Sequence, residues 1–346
     1  MKRLNDINIK EITPLISPKE FKAAQPLSEE GKFSIIGYRE EINKILKGED
    51  DRMLAIVGPC SIYDKESALD YGRKLAKLHE ELKDKLYIVM RVYFEKPRTT
   101  IGWRGLIVDP EIDSSYRVED GLKVARDILL EINNMGLPAG TEILDPIIPQ
   151  YISELVSWAA IGARTTESQT HREITSGLSM PVGFKNSTDG SFEKAINAIC
   201  SARHSHSFIG IDGDGLTSVF KSRGNEMGHL IMRGGDRGPN YYEEFMEDAK
   251  EIMVSRDISP AIIADCSHAN SGKKAVRQER VLNNILDQRR RGMDSIKGFM
   301  LESNLNEGNQ PICEDRSKLK YGVSITDECI GWEKTEELLR RAYDVL

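Results

Sequence analysis

The stretch Tyr87-Ile88-Val89-Met90-Arg91-Val92 is a short apolar run with one charge near its C-terminal end. Seven other runs share this character, and amphipathic helical stretches separate most neighbours. The eight runs are Met53–Val57, Tyr87–Val92, Gly140–Leu144, Ser157–Ala163, Pro181–Lys185, His229–Arg233, Ala261–Cys266 and Ile296–Leu301. Buried strands that alternate with helices indicate parallel βα units. Eight units predict an α/β fold, a (β/α)8 TIM barrel with an N-terminal extension and an inserted β-hairpin.

A charged or metal-capable residue stands at or just beyond the C-terminal end of most runs. These residues are Cys60, Arg91, Glu142, Arg164, Lys185, Arg233, His268 and Glu302. A TIM barrel performs its chemistry at that end of the strands. Four cations beside a Cys, His and Glu set therefore predict an anionic, phosphorylated substrate next to a metal ion.

The chain divides into an N-terminal arm, residues 1–50, and a barrel, residues 51–346. In the arm, Ile7, Ile9 and Ile12 nearly alternate, which predicts a short strand, and Tyr38–Leu46 has the pattern of a helix. The inserted hairpin covers about 205–222. Its turn is Asp212-Gly213-Asp214-Gly215, because Asp-Gly pairs supply the positive φ of tight hairpin turns.

Composition excludes several classes of protein. The net charge of −7 argues against a general nucleic-acid binder, and Arg289–Arg291 is typical of a solvated helix end. No apolar run approaches the roughly 20 residues that cross a bilayer. Five scattered cysteines do not form a disulfide framework, and the N-terminus lacks a signal-peptide core. We therefore expect a cytoplasmic protein without nucleic-acid or membrane partners.

Four residues form a possible metal-binding set. Cys60 follows the first strand, His268 and Glu302 stand at the ends of the seventh and eighth, and Asp327 precedes the last helix. A thiolate, an imidazole and two carboxylates suit one divalent ion such as Mn, Fe, Co or Zn. The spacing matches no short ligand motif. Each residue also has an ordinary interpretation: a small core cysteine, a hydrogen-bonded loop histidine or a helix cap.

The cations form a second set, joined by Lys96 and Arg98 directly after the second strand. Guanidinium groups bind phosphate and carboxylate oxygens in a bidentate manner, and lysine adds a compact charge. A single arginine at a strand end is usually a surface salt bridge. Several at one end of a barrel would repel one another, so together they predict a site for two anions.

Seven motifs resemble those of 3-deoxy-D-arabino-heptulosonate-7-phosphate (DAHP) synthase of the microbial type I alpha class. The match covers nearly the whole chain in order. The motifs are Gly58-Pro59-Cys60-Ser61, Arg91–Thr100, Gly162–Ser168, Pro181–Asn186, Ile231–Gly235, Ser267-His268-Ala269-Asn270 and Ser324–Asp327.

The resemblance implies condensation of phosphoenolpyruvate with D-erythrose 4-phosphate, the first step of the shikimate pathway. It implies four metal ligands: Cys60, His268, Glu302 and Asp327. It implies that the substrates lie among Arg91, Lys96, Pro97, Arg98, Thr99, Ala163, Arg164, Lys185 and Arg233. Lys96 or Asp327 is the candidate for protonating the aldehyde oxygen, and Glu142 and His171 are candidates for handling the attacking water.

The resemblance also implies inhibition by one aromatic amino acid, bound where the arm meets the hairpin. The candidate effector residues are Asn5, Asp6, Leu178, Ser179, Phe208, Gly210 and Phe220. Phenylalanine-sensitive relatives resemble one another in having Ser where this chain has Gly210, so we expect sensitivity to tyrosine. The arm and the hairpin also favour a homodimer or homotetramer.

Three other functions remain open at the level of sequence. Lys185 at a strand end would suit the Schiff base of a class I aldolase. A synthase that uses arabinose 5-phosphate would share the barrel and phosphoenolpyruvate, although the Lys96-Pro97-Arg98-Thr99 run favours erythrose 4-phosphate. A non-catalytic sensor of phosphometabolites or an aromatic amino acid would be expected to lack some of the cations or ligands, and none is missing here.

Overall fold

The eight apolar runs form the strands of one closed barrel. The protein is described by a computed structural model that covers residues 4–313 and 315–346. The barrel strands are β1 (Met53–Gly58), β2 (Leu86–Arg91), β3 (Ala139–Glu142), β4 (Trp158–Ile161), β5 (Val182–Lys185), β8 (Gly228–Met232), β9 (Ile262–Asp265) and β10 (Ile296–Glu302). They pair in parallel in the order β1-β10-β9-β8-β5-β4-β3-β2 and close on themselves. The predicted (β/α)8 barrel is confirmed.

Helices cover the outside of the barrel and precede it in the chain. They are α1 (Pro18–Ala24), α2 (Glu29–Lys47), α3 (Lys65–Leu82), α4 (Val118–Asn134), α5 (Pro149–Ile152), α6 (Gln169–Thr175), α7 (Phe192–Ala202), α8 (Glu243–Ser255), α9 (Gln278–Arg290) and α10 (Trp332–Val345). Short 3-10 turns lie at Ser153–Leu155, Ala275–Arg277 and Arg316–Lys318. None of the helices in these ranges is both long and apolar enough to cross a membrane.

The barrel strands are buried on both faces, and alternate residues serve two apolar layers. On β1, Met53, Ala55 and Val57 contact the helix layer, whereas Leu54 and Ile56 join the cluster inside the barrel. Tyr87 and Val89 of β2 and Tyr93 just beyond it belong to that inner cluster. Because side chains alternate along a strand, Arg91 lies on the same inward face as Val89 and Tyr93.

The arm packs on the barrel through its second helix. The helix predicted at Tyr38–Leu46 lies within α2, and Ile42, Ile45 and Leu46 join the inner apolar cluster. Arg39 of α2 donates hydrogen bonds to the carbonyl oxygens of Ser153 and Val156. This helix therefore contributes directly to the apolar interior of the barrel.

The strand predicted from Ile7, Ile9 and Ile12 is wrong. Residues 4–17 contain no strand, and all three side chains are exposed. A strand needs a partner strand, and residues 4–17 pair neither with the closed barrel nor with the two-stranded hairpin sheet. Helix α1 was not predicted, although Ser17 caps it and Pro18 occupies its first turn, a pattern typical of a helix start.

The inserted hairpin is confirmed as an antiparallel pair outside the barrel. Its strands are β6 (Ser207–Ile211) and β7 (Thr217–Lys221). The Ile209–Val219 cross-strand pair is exposed, whereas the Phe208 and Phe220 rings stack with centroids 5.6 Å apart. Exposed apolar residues on one face and stacked rings on the other show that the two faces have different surroundings.

A buried histidine predicts how stability changes with pH. The indole Nε1 of Trp158 lies 3.0 Å from His229 Nε2, and His229 Nδ1 lies 3.2 Å from the carbonyl oxygen of Met227. Since an indole nitrogen only donates, Nε2 must accept and Nδ1 carries the hydrogen of a neutral ring. Burial lowers the pKa of His229 to about 4.

The folded state should therefore lose stability as the pH falls. A histidine in an unfolded chain titrates near pH 6.5. Between about pH 6.5 and 4, His229 therefore binds a proton in the unfolded chain but not in the folded one. The contribution is fully present above pH 6.5 and declines by at most about 1.4 kcal/mol per pH unit in that window. We expect His229→Gln to weaken this decline, measured by urea unfolding at several pH values. Exposed His204→Gln is the control, and an unchanged slope in His229→Gln would contradict the prediction.

Candidate active site at the barrel mouth

A cavity of about 170 Å³, partly open to solvent, lies at the C-terminal ends of the barrel strands. Most of the predicted site residues line it: Cys60, Lys96, Pro97, Arg98, Glu142, Ala163, Arg164, Lys185, Arg233, His268 and Asp327. Residues that are scattered through the sequence thus converge on one cavity, because all parallel strands end on the same side.

The predicted metal-binding residues converge at one wall. Donor atoms of Cys60, Glu302 and Asp327 all lie within 4.8 Å of one another. The fourth member, His268, has its Nε2 3.7 Å from Glu302 Oε1. Cys60 and Glu302 are buried and Asp327 is exposed, so the group opens from the barrel wall toward the cavity.

Neighbouring residues fix these donors in place. The side chain of Gln278 bonds both the backbone N–H and the carbonyl oxygen of Glu302, at 2.8 and 2.9 Å. The hydroxyls of Ser61 and Thr326, 2.7 Å apart, tie the loop of Cys60 to the loop of Asp327. Hydrogen bonds therefore hold the strand end of Glu302 and the loops of Cys60 and Asp327 in place.

His268 has a left-handed backbone, with φ of 56°. Such a conformation costs energy for a residue with a side chain, and it is concentrated at functional sites. Nδ1 of His268 lies 3.0 Å from Asp265 Oδ2 and 2.7 Å from Ser267 Oγ. A carboxylate behind a histidine orients the ring and leaves the other nitrogen, Nε2, facing the donor group.

Three cations of the site each lie next to an acidic residue: a metal-type donor for Arg91 and Lys96, and the carboxylate behind His268 for Lys185. Arg91 Nη2 is 3.1 Å from Glu302 Oε1, and Lys96 Nζ is 3.2 Å from Cys60 Sγ. Lys185 on β5 has its Nζ 3.1 Å from Oδ2 of Asp265 on β9, with β8 between the two strands. The cationic set and the donor set are therefore a single interlocked network.

This network shifts the pKa values of its acids. Burial alone would raise the pKa of Glu302, yet His268, Arg91 and Lys96 hold it below its usual range. Asp265 is completely buried, which opposes its charge, but His268 and Lys185 hold its pKa well below the ordinary value. Both carboxylates are therefore anions, as ion pairing and metal binding require.

An asparagine network supports the turn that follows β8. Asn186 Oδ1 accepts from the backbone N–H of Arg233 at 2.7 Å, and Asn240 Oδ1 accepts from that of Gly234 at the same distance. Gly234 has φ of 74°, a conformation that favours glycine. These contacts hold the Arg233 side chain at the cavity wall.

Four predicted residues lie outside the lining of this cavity. Arg91 and Glu302 are buried within the barrel, and Thr99 accepts a hydrogen bond from Arg164 Nη2 at 3.1 Å. His171 has Nδ1 2.9 Å from Ser168 Oγ and Nε2 2.8 Å from the carbonyl oxygen of Leu144. Both of its ring nitrogens are thus engaged away from the cavity.

Two residues of the site, Asp265 and Tyr93, were not predicted from the sequence. Asp265 ends β9, and Tyr93 follows Arg91 by two positions. A search for charged and aromatic residues on the inward face of each strand would have found both.

The predicted effector residues are brought together only in part. A Cβ at Gly210 would lie 3.1 Å from the Phe220 ring, and Phe208 Cζ is close to Gly177, next to Leu178 and Ser179. Asn5 and Asp6 are exposed. The hairpin turn instead contacts the start of α1, where the Lys19 N–H donates to the Gly213 carbonyl oxygen at 2.8 Å.

Comparisons with known proteins identify the family. The profile of the DAHP synthetase I family matches residues 23–340. The chain belongs to the DAHP synthetase I family. It is 51% identical to the Tyr-sensitive phospho-2-dehydro-3-deoxyheptonate aldolase of Escherichia coli K12, across 99% of this chain and 96% of that protein.

Other members of the DAHP synthetase I family are almost as similar. The Phe-sensitive aldolase of Escherichia coli K12 is 49% identical over 97% of this chain and 96% of that protein. The structure of phospho-2-dehydro-3-deoxyheptonate aldolase from Francisella tularensis SCHU S4 superposes with a TM-score of 0.95, at 44% identity over 98% of each chain. Overall identity therefore does not distinguish tyrosine from phenylalanine sensitivity.

Proposed function

We propose that this DAHP synthetase I family member condenses phosphoenolpyruvate with D-erythrose 4-phosphate and water, giving DAHP and phosphate. This is the first step of the shikimate pathway. The observation that carries the proposal is the interlocked network, in which cations and metal-type donors share one cavity. The cations bind the two anionic substrates, and the metal-type donors can hold a Lewis acid that polarises the aldehyde carbonyl.

The donor set fits one divalent ion such as Mn, Fe, Co or Zn. Cys60, Glu302 and Asp327 would hold it, and His268 Nε2 is close enough to join them. A thiolate with nitrogen and oxygen donors is typical of borderline metals. When bound, the ion supplies Lewis-acid polarisation of the aldehyde carbonyl of erythrose 4-phosphate.

The cations of the chain bind and orient the substrates. Arg91, Lys96, Arg164, Lys185 and Arg233 surround phosphoenolpyruvate, and the run from Lys96 to Thr99 contributes to the erythrose 4-phosphate site. Holding both anions together offsets their repulsion and converts a bimolecular encounter into an oriented one. A bond then forms between C3 of phosphoenolpyruvate and the aldehyde carbon, and oxocarbenium character develops at C2.

Proton transfers complete the reaction. Lys96 lies in the cavity with its Nζ beside Cys60 and donates a proton to the new alkoxide, and Asp327 is the alternative donor. Water adds at C2, and phosphate leaves by cleavage of the C–O bond. Glu142 lines the cavity and is our candidate for accepting the proton of that water, since both nitrogens of His171 are engaged elsewhere.

The proposal is tested by assaying chelator-treated protein for loss of phosphoenolpyruvate, with and without added Mn. We expect consumption that requires both erythrose 4-phosphate and the metal. Cys60→Ala should lose bound Mn and activity, whereas Cys200→Ala, a free cysteine on α7, should keep both. Consumption by folded protein with no divalent metal present would exclude the metal role. No consumption with any divalent metal would exclude the reaction and favour the sensor.

The Schiff-base alternative has less support. Lys185 Nζ is ion-paired with the buried Asp265 carboxylate, and an aldolase lysine must instead present a neutral amine. Borohydride treatment in the presence of substrate should therefore leave no covalent adduct on Lys185.

We propose that tyrosine inhibits the enzyme at the hairpin. The Phe208 and Phe220 stack offers an aromatic surface, and Gly210 leaves the edge of the Phe220 ring uncovered. At equal concentration, tyrosine should inhibit more strongly than phenylalanine. Gly210→Ser should weaken tyrosine inhibition, whereas Gly213→Ser, a turn position with free space around it, should not. Stronger inhibition by phenylalanine would show that the Gly210 argument is wrong.

We also propose a homodimer or homotetramer. Ile7, Ile12, Ile209 and Val219 are exposed apolar residues on the arm and the outer face of the hairpin. Light scattering should give a mass of two or four chains, and a monomer at micromolar concentration would contradict the proposal.

A further inference from the structure

The ring of Tyr93 lies among three cations of the site. It is buried inside the barrel, on the inward face that it shares with Arg91. The Arg91 guanidinium carbon is 4.1 Å from the ring centroid, and the Nζ atoms of Lys96 and Lys185 are 5.4 and 5.9 Å from it. All three distances are within the range in which a cation is attracted by the negative face of an aromatic ring.

The acidic partners of these cations have other tasks. Glu302 beside Arg91 and Cys60 beside Lys96 belong to the donor set, and Asp265 beside Lys185 also contacts His268. Each acidic partner offsets part of the charge of the cation beside it. A neutral ring adds stabilisation through its quadrupole and does not offset that charge any further.

The hydroxyl group of Tyr93 plays no visible part in these contacts. It is buried and has no hydrogen-bond partner among the residues that the structure describes. Burial also raises the pKa of Tyr93 above its usual value, so the phenol stays neutral. A buried tyrosine hydroxyl normally finds a partner, and its lack of one directs attention to the ring.

We propose that Tyr93 is a positioning residue whose ring gathers Arg91, Lys96 and Lys185 into one anion-binding group. The ring attracts all three cations without offsetting their charge any further, so that a small anion binds all three at once. The identity of that anion as phosphoenolpyruvate rests on the proposed function; the role of the ring does not.

The test compares Tyr93→Leu, which removes the ring, with Tyr93→Phe, which keeps it. Calorimetry with phosphoenolpyruvate and, separately, inorganic phosphate gives the dissociation constants. We expect Tyr93→Leu to weaken the binding of both anions by about tenfold or more, and Tyr93→Phe to stay within about twofold of the wild type. In the assay, Tyr93→Leu should raise KM for phosphoenolpyruvate more than it lowers kcat.

Tyr87→Leu is the matched control, because it removes a buried ring near the start of β2, the strand after which Tyr93 lies. It should change thermal stability but leave the binding of both anions unchanged. If Tyr93→Leu does not fold, stepwise fluorination of the phenylalanine introduced by Tyr93→Phe weakens the quadrupole at nearly constant size. Anion binding should then weaken with each added fluorine, which a purely structural role would not produce.

Three results would overturn the proposal. Unchanged anion binding in Tyr93→Leu, or in the fluorinated series, would exclude a role for the ring. A loss in Tyr93→Phe as large as in Tyr93→Leu would assign the effect to the hydroxyl. Wild-type protein that binds phosphate but not phosphoenolpyruvate would refute the proposed function and leave the ring to be judged by phosphate; binding of neither anion would refute both.

Discussion

Replacing Asp265 with asparagine is expected to lower kcat/KM for phosphoenolpyruvate by about 100-fold or more. Asp265 is fully buried, and its Oδ2 lies about 3 Å from both Lys185 Nζ and His268 Nδ1. Asparagine has the same shape, but it removes the charge and can turn a donor toward two other donors. Both Lys185 and His268 lose the carboxylate that positions them, and a 100-fold loss corresponds to about 2.7 kcal/mol of transition-state stabilisation.

The same substitution should lower the thermal unfolding midpoint, because Lys185 is left buried without a counter-charge. Two measurements separate the effects: steady-state kinetics at saturating metal, and thermal unfolding without ligands. Cys266→Ala is the control, since Cys266 is the next residue in the chain but faces the outer apolar layer. If Asp265→Asn kept the kinetics and stability of the wild type, the ion pair with Lys185 would contribute to neither.

The sequence predicted the side of the barrel that carries the site, for a simple geometric reason. Parallel strands all end on one side, so Arg91, Lys185 and Glu302 had to approach one another once the eight runs were interpreted as strands. The position of a strand end does not predict which acidic residue pairs with which cation. Lys185 on β5 and Asp265 on β9 are separated by β8 in the sheet, and their side chains meet because both point into the curved interior of the barrel.

The wrong prediction of a strand in the arm has a physical cause as well. The alternation of Ile7, Ile9 and Ile12 describes a strand, but a strand also needs a partner, and periodicity says nothing about where one lies. His171 stays a candidate for handling the attacking water. Its sequence position gave no sign that Ser168 Oγ and the Leu144 carbonyl oxygen lie within hydrogen-bond distance of its two ring nitrogens.

Gly235→Ala should have the second large effect, this time through backbone contact. A Cβ at Gly235 would lie 2.2 Å from the backbone nitrogen of Gly190 and 2.3 Å from its Cα, distances that atoms cannot adopt. The turn after β8 would have to move away from the turn after β5, and the Asp236 N–H, which donates to the Thr188 carbonyl oxygen at 3.0 Å, would lose its partner. Overpacking of this kind costs about 1–3 kcal/mol, and more where backbone must shift.

Because Arg233 lies two residues before Gly235, the displacement should also raise KM for phosphoenolpyruvate, as well as lower the thermal midpoint. Gly37→Ala on α2 is the matched control. Apart from its chain neighbours and the backbone of its own helix, no atom of the described residues lies within 4 Å of the added Cβ, and alanine in a helix is favoured over glycine by about 0.5–1 kcal/mol. That variant should be as stable as the wild type or slightly more so. If Gly235→Ala behaved like Gly37→Ala, the close contact between the two turns would not constrain the position of Arg233. The walls of the anion site would then tolerate more movement than the hydrogen bonds of Asn186 and Asn240 to that turn imply.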